Sequence, residues 1–242
     1  MPPRGLIYGV GINDADYFTY SSYVNDVGKR IYVACPYYKC WTNMLSRCYN
    51  INIHKKKPTY SNCSVCSAWH LFSNFRSWMI QQDWQGKSLD KDILVIGNKI
   101  YSPDTCVFVE NRVNNFINET PRRKGSTGLI GVSRQFNTFY AESSSVETGE
   151  KVRIGSFKTE EEAHLAWIEY KLKQARILAK QQNDPRVAKA LLFRYENYSR
   201  FNILRADNKT FDELTEKLWK EHPEEMTEAK IWAQEFIEEI KK

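Results

Sequence analysis

Two carboxylates flank a lysine in the run Asp90-Lys91-Asp92, in a segment typical of a strand. Carboxylate oxygens are ligands that Mg²⁺ prefers, and a metal that polarises a phosphate is one requirement of phosphodiester hydrolysis. A second requirement is a base that activates water, and Lys91 is a poor base because an amine is protonated at neutral pH. Because side chains alternate along a strand, we expect Asp90 and Asp92 to point to opposite faces, so that they share one ion only at a bulge.

A second group of residues has the chemistry of DNA contact. Arg134 and Arg153 lie on strand-like pieces and carry the long, multiple donors that can bond base edges and phosphates, with Tyr140 and Glu142 beside them. The basic run Arg122-Arg123-Lys124 precedes these strands in a glycine-containing linker. We expect this run to follow a phosphate backbone and the strands to present their outward side chains to the bases.

The elements that must position the first group are short. Strands and turns are predicted up to about residue 35, followed by apolar stripes of helical spacing near 38–48 and 65–79. A strand begins at Ser88, Gly97 and Asn98 mark a turn, and Ser102-Pro103-Asp104 has the form of a helix start, with Ser102 as N-cap. The sequence therefore predicts a strand–turn–short helix unit around Asp90.

The second group lies in a different pattern. Three strand-like pieces are followed by a capping box at Thr159–Glu162 that opens a long helix, and Asp184-Pro185 begins another helix. This order predicts a three-stranded antiparallel sheet closed by one helix, within an α+β protein. The predicted domains span residues 1–120 and 125–183, and a helical C-terminal extension spans residues 184–242.

Composition and charge narrow the class of protein. With 42% hydrophobic and 26% charged residues the chain is neither generally disordered nor membrane-embedded, and no run of apolar residues is long enough for a membrane span. Residues 207–242 hold eleven acidic and six basic residues, which leaves a net charge of +11 on residues 1–206. A basic body favours a polyanionic partner, whereas the acidic, amphipathic end favours self-association or a protein partner. With no targeting segment, we expect a cytosolic protein.

The six cysteines predict free thiols rather than a disulfide framework. Cys63 and Cys66 form a single CxxC, and a zinc knuckle needs a second pair. Cys35, Cys40 and Cys48 do not supply that pair at a familiar spacing. We therefore expect no zinc site.

Residues 128–167 resemble the AP2 DNA-binding domain. They share a Gly-Val strand ending in Arg134, an aromatic residue followed by Ala-Glu142, an Ile-Gly-x-Phe157 strand and a helix opening Thr159-x-Glu-Glu-Ala163. The resemblance implies that the three-stranded sheet enters the major groove of duplex DNA. It also implies that Arg and aromatic side chains on its exposed face touch bases and phosphates.

The segment from Leu89 to Asn114 resembles the ββα core of phage HNH homing endonucleases, which often carry an AP2-like module after the nuclease. The resemblance implies a divalent metal, Mg²⁺ or Mn²⁺, held by Asp90, with Asn98 in the Gly-Asn turn. Lys91 stands where the family has its general-base histidine, and Thr105 stands where the family has the asparagine that serves as the second metal ligand. If the gene is a phage gene, the compartment is the cytoplasm of the host cell.

Three interpretations follow for this centre. In the first, the nuclease is active with substituted residues: Asp90 and Asp92 hold the metal, Lys91 or Tyr101 lies near the scissile phosphate, and His54 or His70 is an alternative base. In the second interpretation catalysis is lost and the protein binds DNA, or a protein partner, in a regulatory role. In the third the strand pair is only structural. Double-stranded DNA is the expected partner in the first two.

Overall fold

The computed structural model describes residues 5–117 and 129–196, which form a mixed α+β protein, as the sequence predicts. The chain divides into two units, with the boundary between Asn111 and Arg112. The elements of the first unit are β1 (Tyr20–Val24), β2 (Arg30–Ala34), α1 (Pro36–Tyr49), α2 (Ile51–Lys56), β3 (Ser64–Val65), α3 (Phe72–Ile80), β4 (Ser88–Asp90), β5 (Ile100–Tyr101) and β6 (Val107–Val109). Those of the second are α4 (Asn111–Ile117), which begins at the boundary, β7 (Val132–Gln135), β8 (Thr138–Ser144), β9 (Lys151–Phe157), α5 (Glu160–Lys180) and α6 (Pro185–Glu196).

An aromatic core holds the first unit together. The indole of Trp41 on α1 is fully buried and donates to the carbonyl of Trp69 at 2.7 Å, so the largest side chain in the core has its polar atom satisfied. Phe72 at the start of α3 packs edge-on against Tyr38 of α1, with ring centroids 5.3 Å apart. These contacts join α1 to α3, and the unit also contains three two-stranded sheets, β1–β2, β3–β5 and β4–β6.

The second unit contains the predicted three-stranded antiparallel sheet, in the order β7-β8-β9. α5 begins at the predicted capping box: the Thr159 hydroxyl accepts from the Glu162 amide, and the Glu162 carboxylate accepts from the Thr159 amide. α5 packs across the sheet face that contains Ala141, which is fully buried. Both predictions are confirmed.

One carbonyl connects the three helices of the second unit. The carbonyl of Phe116 lies in the last turn of α4, where helix carbonyls lack an intrahelical donor. It accepts from the ammonium of Lys171 on α5 at 3.0 Å and from the hydroxyl of Tyr195 on α6 at 3.1 Å. α6 thus packs with α4 and α5, and its residues are the only part of the predicted 184–242 extension that the structure describes. Residues 197–242 lie outside the described residues.

Two local predictions are wrong. Ser102-Pro103-Asp104 does not begin a helix: it forms a turn closed by a hydrogen bond from the Cys106 amide to the Ser102 carbonyl at 3.0 Å, and the chain continues into β6. The helix instead starts at Asn111, after that strand. The stripe near 65–79 is not one helix, because a 3₁₀ turn at Ser67–His70 precedes α3. Among the described residues no helix is long and apolar enough to cross a membrane.

Gly131 allows the sheet to approach α5 closely. Its φ is +80°, and a Cβ built on it would overlap the indole of Trp167, a ring in the core of this unit. We expect Gly131→Ala to lower the free energy of unfolding of the second unit by more than about 2 kcal/mol, because strain and overpacking add. Urea unfolding followed by circular dichroism measures this, with Gly149→Ala as the control. Gly149 also has a positive φ, of +74°, but open space around it, so the difference between the two variants isolates the contact with Trp167.

Candidate functional site

Asp90 ends β4 through its own side chain. Its Oδ1 accepts hydrogen bonds from the backbone amides of Asp92, at 2.9 Å, and Ile93, at 2.7 Å. Such a bond from an aspartate to the chain two or three residues later is a local turn that competes with the extended conformation. The strand therefore stops at Asp90, and the chain bends immediately afterwards.

The bend brings the two carboxyl groups together. The expectation that Asp90 and Asp92 point to opposite faces is wrong, because the alternation of a strand no longer applies beyond Asp90, and the Asp92 side chain interacts with the Asp90 carboxyl group. Burial and the charge of Asp92 raise the pKa of Asp90 to about 6, against the opposing effect of its two backbone donors. Asp90 is only 9% exposed, whereas the Asp92 side chain is 40% exposed, so the pair at the end of the strand has one buried member and one that reaches solvent.

Lys91 and Asn98 complete a compact cluster with the two acids. The Lys91 side chain is buried, and its Nζ donates to Asp92 Oδ2 at 3.1 Å and to the Asn98 carbonyl at 2.8 Å. Asn98 Nδ2 donates to the carbonyls of Lys91, at 2.6 Å, and Ile100, at 2.7 Å. The four residues predicted from the sequence as a catalytic group are therefore in one place, and Lys91 acts there as a hydrogen-bond donor.

Thr105 has a structural role in its turn. Its hydroxyl donates to the carbonyl of Ile100 at 2.9 Å and lies 2.9 Å from the hydroxyl of Ser102. These contacts stabilise the turn between β5 and β6, and the structure shows no contact of Thr105 with Asp90. Within residues 5–117 and 129–196 there is no group of three or more His, Cys, Asp and Glu that could hold a metal ion.

The two histidines named as alternative bases lie on helical elements away from the acidic pair in the chain. His54 Nε2 is 2.9 Å from the carbonyl of Arg47, at the junction of α1 and α2. His70 packs against the ring of Tyr49, with centroids 6.4 Å apart. The contacts of both histidines are with α1 and its C-terminal end, and neither is shown in contact with Asp90 or Asp92.

Arg47 and Tyr101 adjoin the acidic cluster. The sequence names Tyr101 as a candidate near the scissile phosphate, but it gives no signal for Arg47. Arg47 on α1 makes a long hydrogen bond of 3.5 Å to the carbonyl of Leu89, the residue before Asp90, and its charge interacts with the Tyr101 side chain. Tyr101 is 2% exposed, burial raises its pKa well above the usual range, and its ring centroid lies 6.0 Å from Lys91 Nζ. The contacts of Arg47 join residues more than forty positions apart, which no local pattern predicts.

The three-stranded sheet has a polar face on the side opposite α5. Register pairs Tyr140 with Ser133, and Glu142 with Arg153, so all four side chains share this face. Glu142 is nearly buried, its Oε2 accepts from the Ser133 hydroxyl at 3.1 Å, and its Oε1 lies 2.9 Å from Lys151 Nζ and 3.7 Å from the Arg153 guanidinium. The Arg153 guanidinium also lies over the ring of Tyr140 at 4.3 Å. The result is a surface with two cations, each about half exposed, held by one carboxylate and one aromatic ring.

Arg134 lies on the other side of the sheet from Arg153. Arg134 pairs with Phe139, as Val132 pairs with Ala141. Because side chains alternate along a strand, these four residues lie on the side of the sheet that faces α5. Its Nε donates to the Phe136 carbonyl at 2.9 Å, and its guanidinium lies 5.5 Å from the centre of the Phe139 ring. The expectation that Arg134 and Arg153 project from one face is therefore wrong. Arg122, Arg123 and Lys124 lie outside the described residues.

All six cysteines are free thiols, and burial is the main reason that the pKa of Cys40 and of Cys48 is raised to about 12.

No protein-family model matches the chain, and no curated protein and no solved structure is significantly similar to it.

Proposed function

We propose that this protein binds duplex DNA through the polar face of the β7–β9 sheet, as a protein of the phage HNH homing-endonuclease type. The observation that carries the proposal is the pair of cations on that face, Lys151 and Arg153, which are exposed at their ends and anchored on Glu142 and Tyr140. Anchoring reduces the entropy lost on binding, and a fixed guanidinium is suited to bidentate contact with guanine or phosphate.

The dimensions of the sheet suit this role. Neighbouring strands are about 4.8 Å apart, so three strands span about 10 Å between the outer two, compared with a major groove about 12 Å wide. The capping box, the three antiparallel strands and the helix packed on one face are also the features that the AP2 resemblance implies. The basic body of the chain, with a net charge of +11 on residues 1–206, adds a long-range attraction to polyanions.

Duplex binding is tested by the change in fluorescence anisotropy of a labelled DNA duplex titrated with the full chain at several salt concentrations. We expect binding at low salt. The logarithm of the association constant should fall linearly with the logarithm of the salt concentration, with a slope of about −0.9 for each phosphate neutralised. A chain that leaves the duplex free even at low salt contradicts the proposal.

A second candidate function is metal-assisted phosphodiester hydrolysis, and the adjacency of Asp90 and Asp92 favours it. Mg²⁺ is commonly held by one or two carboxylates together with water and substrate phosphate, so the pair fits Mg²⁺ or Mn²⁺ without a third protein ligand. When bound there, the ion would supply charge neutralisation at a phosphate. Chain order also fits the HNH resemblance, since the antiparallel strands β4 and β6 are followed by α4.

The protein's own residues limit that chemistry. Lys91 is occupied as a donor to Asp92 and to the Asn98 carbonyl, so it positions the acidic pair and does not serve as the base. Among the described neighbours of Asp90 and Asp92, no histidine is shown in the place of the missing base. A centre that has kept its acids and lost its base would bind DNA without cutting it, which is the regulatory alternative.

Supercoiled plasmid distinguishes the two alternatives. If the pair is an active centre, we expect nicking that needs Mg²⁺ or Mn²⁺, stops with EDTA and is lost in Asp90→Asn, because the amide removes the ligand charge while keeping the two backbone hydrogen bonds. The same variant should still retard DNA. Nicking that persists in Asp90→Asn excludes the pair as the centre, and retardation without cleavage under either metal supports the binding function alone.

A further inference from the structure

The first unit contains a cleft of about 280 Å³ between α1, the end of α3 and the segment 84–89. Residues of α1, including Lys39, Met44 and Arg47, line this cleft together with Trp84 and Phe108. This cleft is not part of the acidic cluster, although Arg47 contacts both.

The charge of the cleft is uniformly positive. Lys39, Arg47 and Lys87 line it, and no aspartate or glutamate does. Lys87 is bound to Asp83 at 2.5 Å, outside the lining. Burial raises the pKa of the lining thiol Cys40 to about 12, so that group is also uncharged at neutral pH.

Arg47 is the central cation of this cleft. Its largest electrostatic partners are the phenols of Tyr101 and Tyr60 and the thiol of Cys40, rather than a carboxylate. A guanidinium has five N–H donors, and its charge here is balanced by no acidic group among those partners. Partly buried cations in such surroundings favour an anion that approaches from the open side of the cleft.

Aromatic and thioether groups also line the cleft. The Trp84 ring is held edge-on against Tyr37, with centroids 5.2 Å apart, and Phe108 is stacked on Trp78 at 5.7 Å. Both rings are therefore fixed before any ligand arrives. Met44 and Met79 add polarisable, adaptable surface between them.

We infer that this cleft binds a single nucleotide unit, with the base against Trp84 and Phe108 and the phosphate near Arg47 and Lys39. An aromatic base stacks on aromatic side chains, a phosphate pairs with arginine and lysine, and the volume is of the size of one mononucleotide rather than of a duplex. The unit can be a free nucleotide or the 5′-phosphorylated end of a DNA strand, which present the same chemistry. The inference goes beyond duplex binding and does not depend on the sheet.

Calorimetric titration of the full chain tests it with three separate probes: a deoxynucleoside 5′-monophosphate, the nucleoside alone and inorganic phosphate. We expect the monophosphate to bind, with the nucleoside and the phosphate each at least about tenfold weaker, because each lacks half of the contacts. A folded protein that gives no binding heat with the monophosphate at about 1 mM overturns the inference, as does equal affinity for inorganic phosphate.

Substitutions of cleft residues test whether the monophosphate binds in this cleft. Lys39→Ala removes an exposed charge, and we expect it to weaken monophosphate binding by about fivefold, whereas Lys29→Ala, an exposed lysine outside the cleft, leaves the affinity unchanged. Trp84→Leu, checked for native circular dichroism, should weaken binding by a similar factor. Unchanged affinity in both cleft variants overturns the assignment.

If the monophosphate binds, two oligonucleotides distinguish a free nucleotide from the 5′-phosphorylated end of a DNA strand as the natural ligand. Tighter binding of a short 5′-phosphorylated single strand than of its 5′-hydroxyl form indicates the strand end, and equal binding of the two indicates the free nucleotide. A protein that binds duplex DNA but not the monophosphate would refute this inference and leave the proposed function intact.

Discussion

Asp90→Asn is expected to stabilise the protein at neutral pH by roughly 2–3 kcal/mol. Asp90 is buried beside Asp92, and its pKa of about 6 lies about two units above the usual value for an aspartate. A carboxyl group whose folded-state pKa is raised binds its proton more tightly in the folded state. The stability of the wild type therefore falls as pH rises from about 4 to about 6 and stays low above that.

Asparagine removes this pH dependence and keeps the hydrogen bonds. Its Oδ1 can accept from the amides of Asp92 and Ile93 as the carboxylate does. The difference in free energy of unfolding between Asp90→Asn and the wild type should be near zero at pH 4 and reach its full value by pH 7. Urea unfolding at these two pH values measures it, and comparison with the wild type cancels the contributions of the other titrating groups.

Asp90→Ala is the matched variant. It also removes the charge but leaves two backbone amides without their acceptor, each worth about 1–3 kcal/mol when buried. We expect alanine to be less stable than asparagine by about 2–4 kcal/mol at every pH. If both variants differ from the wild type by the same amount at pH 4 and pH 7, the carboxyl group is not the titrating group that the geometry indicates.

Arg153→Ala is expected to weaken the binding of duplex DNA by about tenfold or more. The guanidinium is about half exposed and is held over Tyr140 and beside Glu142 on the polar face of the sheet, and the loss of one good contact to a base or phosphate is worth about 1–3 kcal/mol. Lys151→Ala should have a smaller effect, because an ammonium makes a single point contact. Anisotropy titrations at fixed salt measure both.

Two controls use arginines elsewhere in the same unit. Arg176→Ala removes an exposed charge from α5, and Arg134→Ala removes one from the side of the sheet that α5 covers. We expect both to stay within about twofold of the wild type, since each changes only the long-range charge. If Arg134→Ala weakens binding as much as Arg153→Ala does, the effect is not confined to one side of the sheet and the polar face is not the site.

The architecture of the second unit could be predicted because its signals are local. A capping box involves four adjacent residues, Thr159 to Glu162, and short alternating runs separated by turn residues specify neighbouring antiparallel strands. The face on which each arginine lies could not be read in the same way. Arg134 and Arg153 lie on different strands, and the register shift between Ala141 and Glu142 changes the alternation along β9 relative to β8.

The acidic cluster shows the same limit. The sequence indicates the candidate catalytic residues Asp90, Lys91, Asp92 and Asn98 by their side-chain types. It does not indicate how they are arranged, because the expected alternation of Asp90 and Asp92 requires a continuous strand, and the Asp90 side chain itself ends that strand. The helix predicted at Ser102 fails for a related reason. A serine followed by proline is also a common turn, and pairing of the next residues with β4 determines the outcome.

The sequence by itself determined the α+β class, the basic body, the sheet closed by a capped helix and the identity of the candidate catalytic residues, because these depend on composition and on contacts within a few residues. Only the tertiary structure decided that two aspartates meet, that Arg153 and Arg134 lie on opposite sides of a sheet, and that Arg47 lines a cleft without a carboxylate. These features depend on strand register and on contacts between residues far apart in the chain, where many pairings are compatible with one local pattern and packing selects among them.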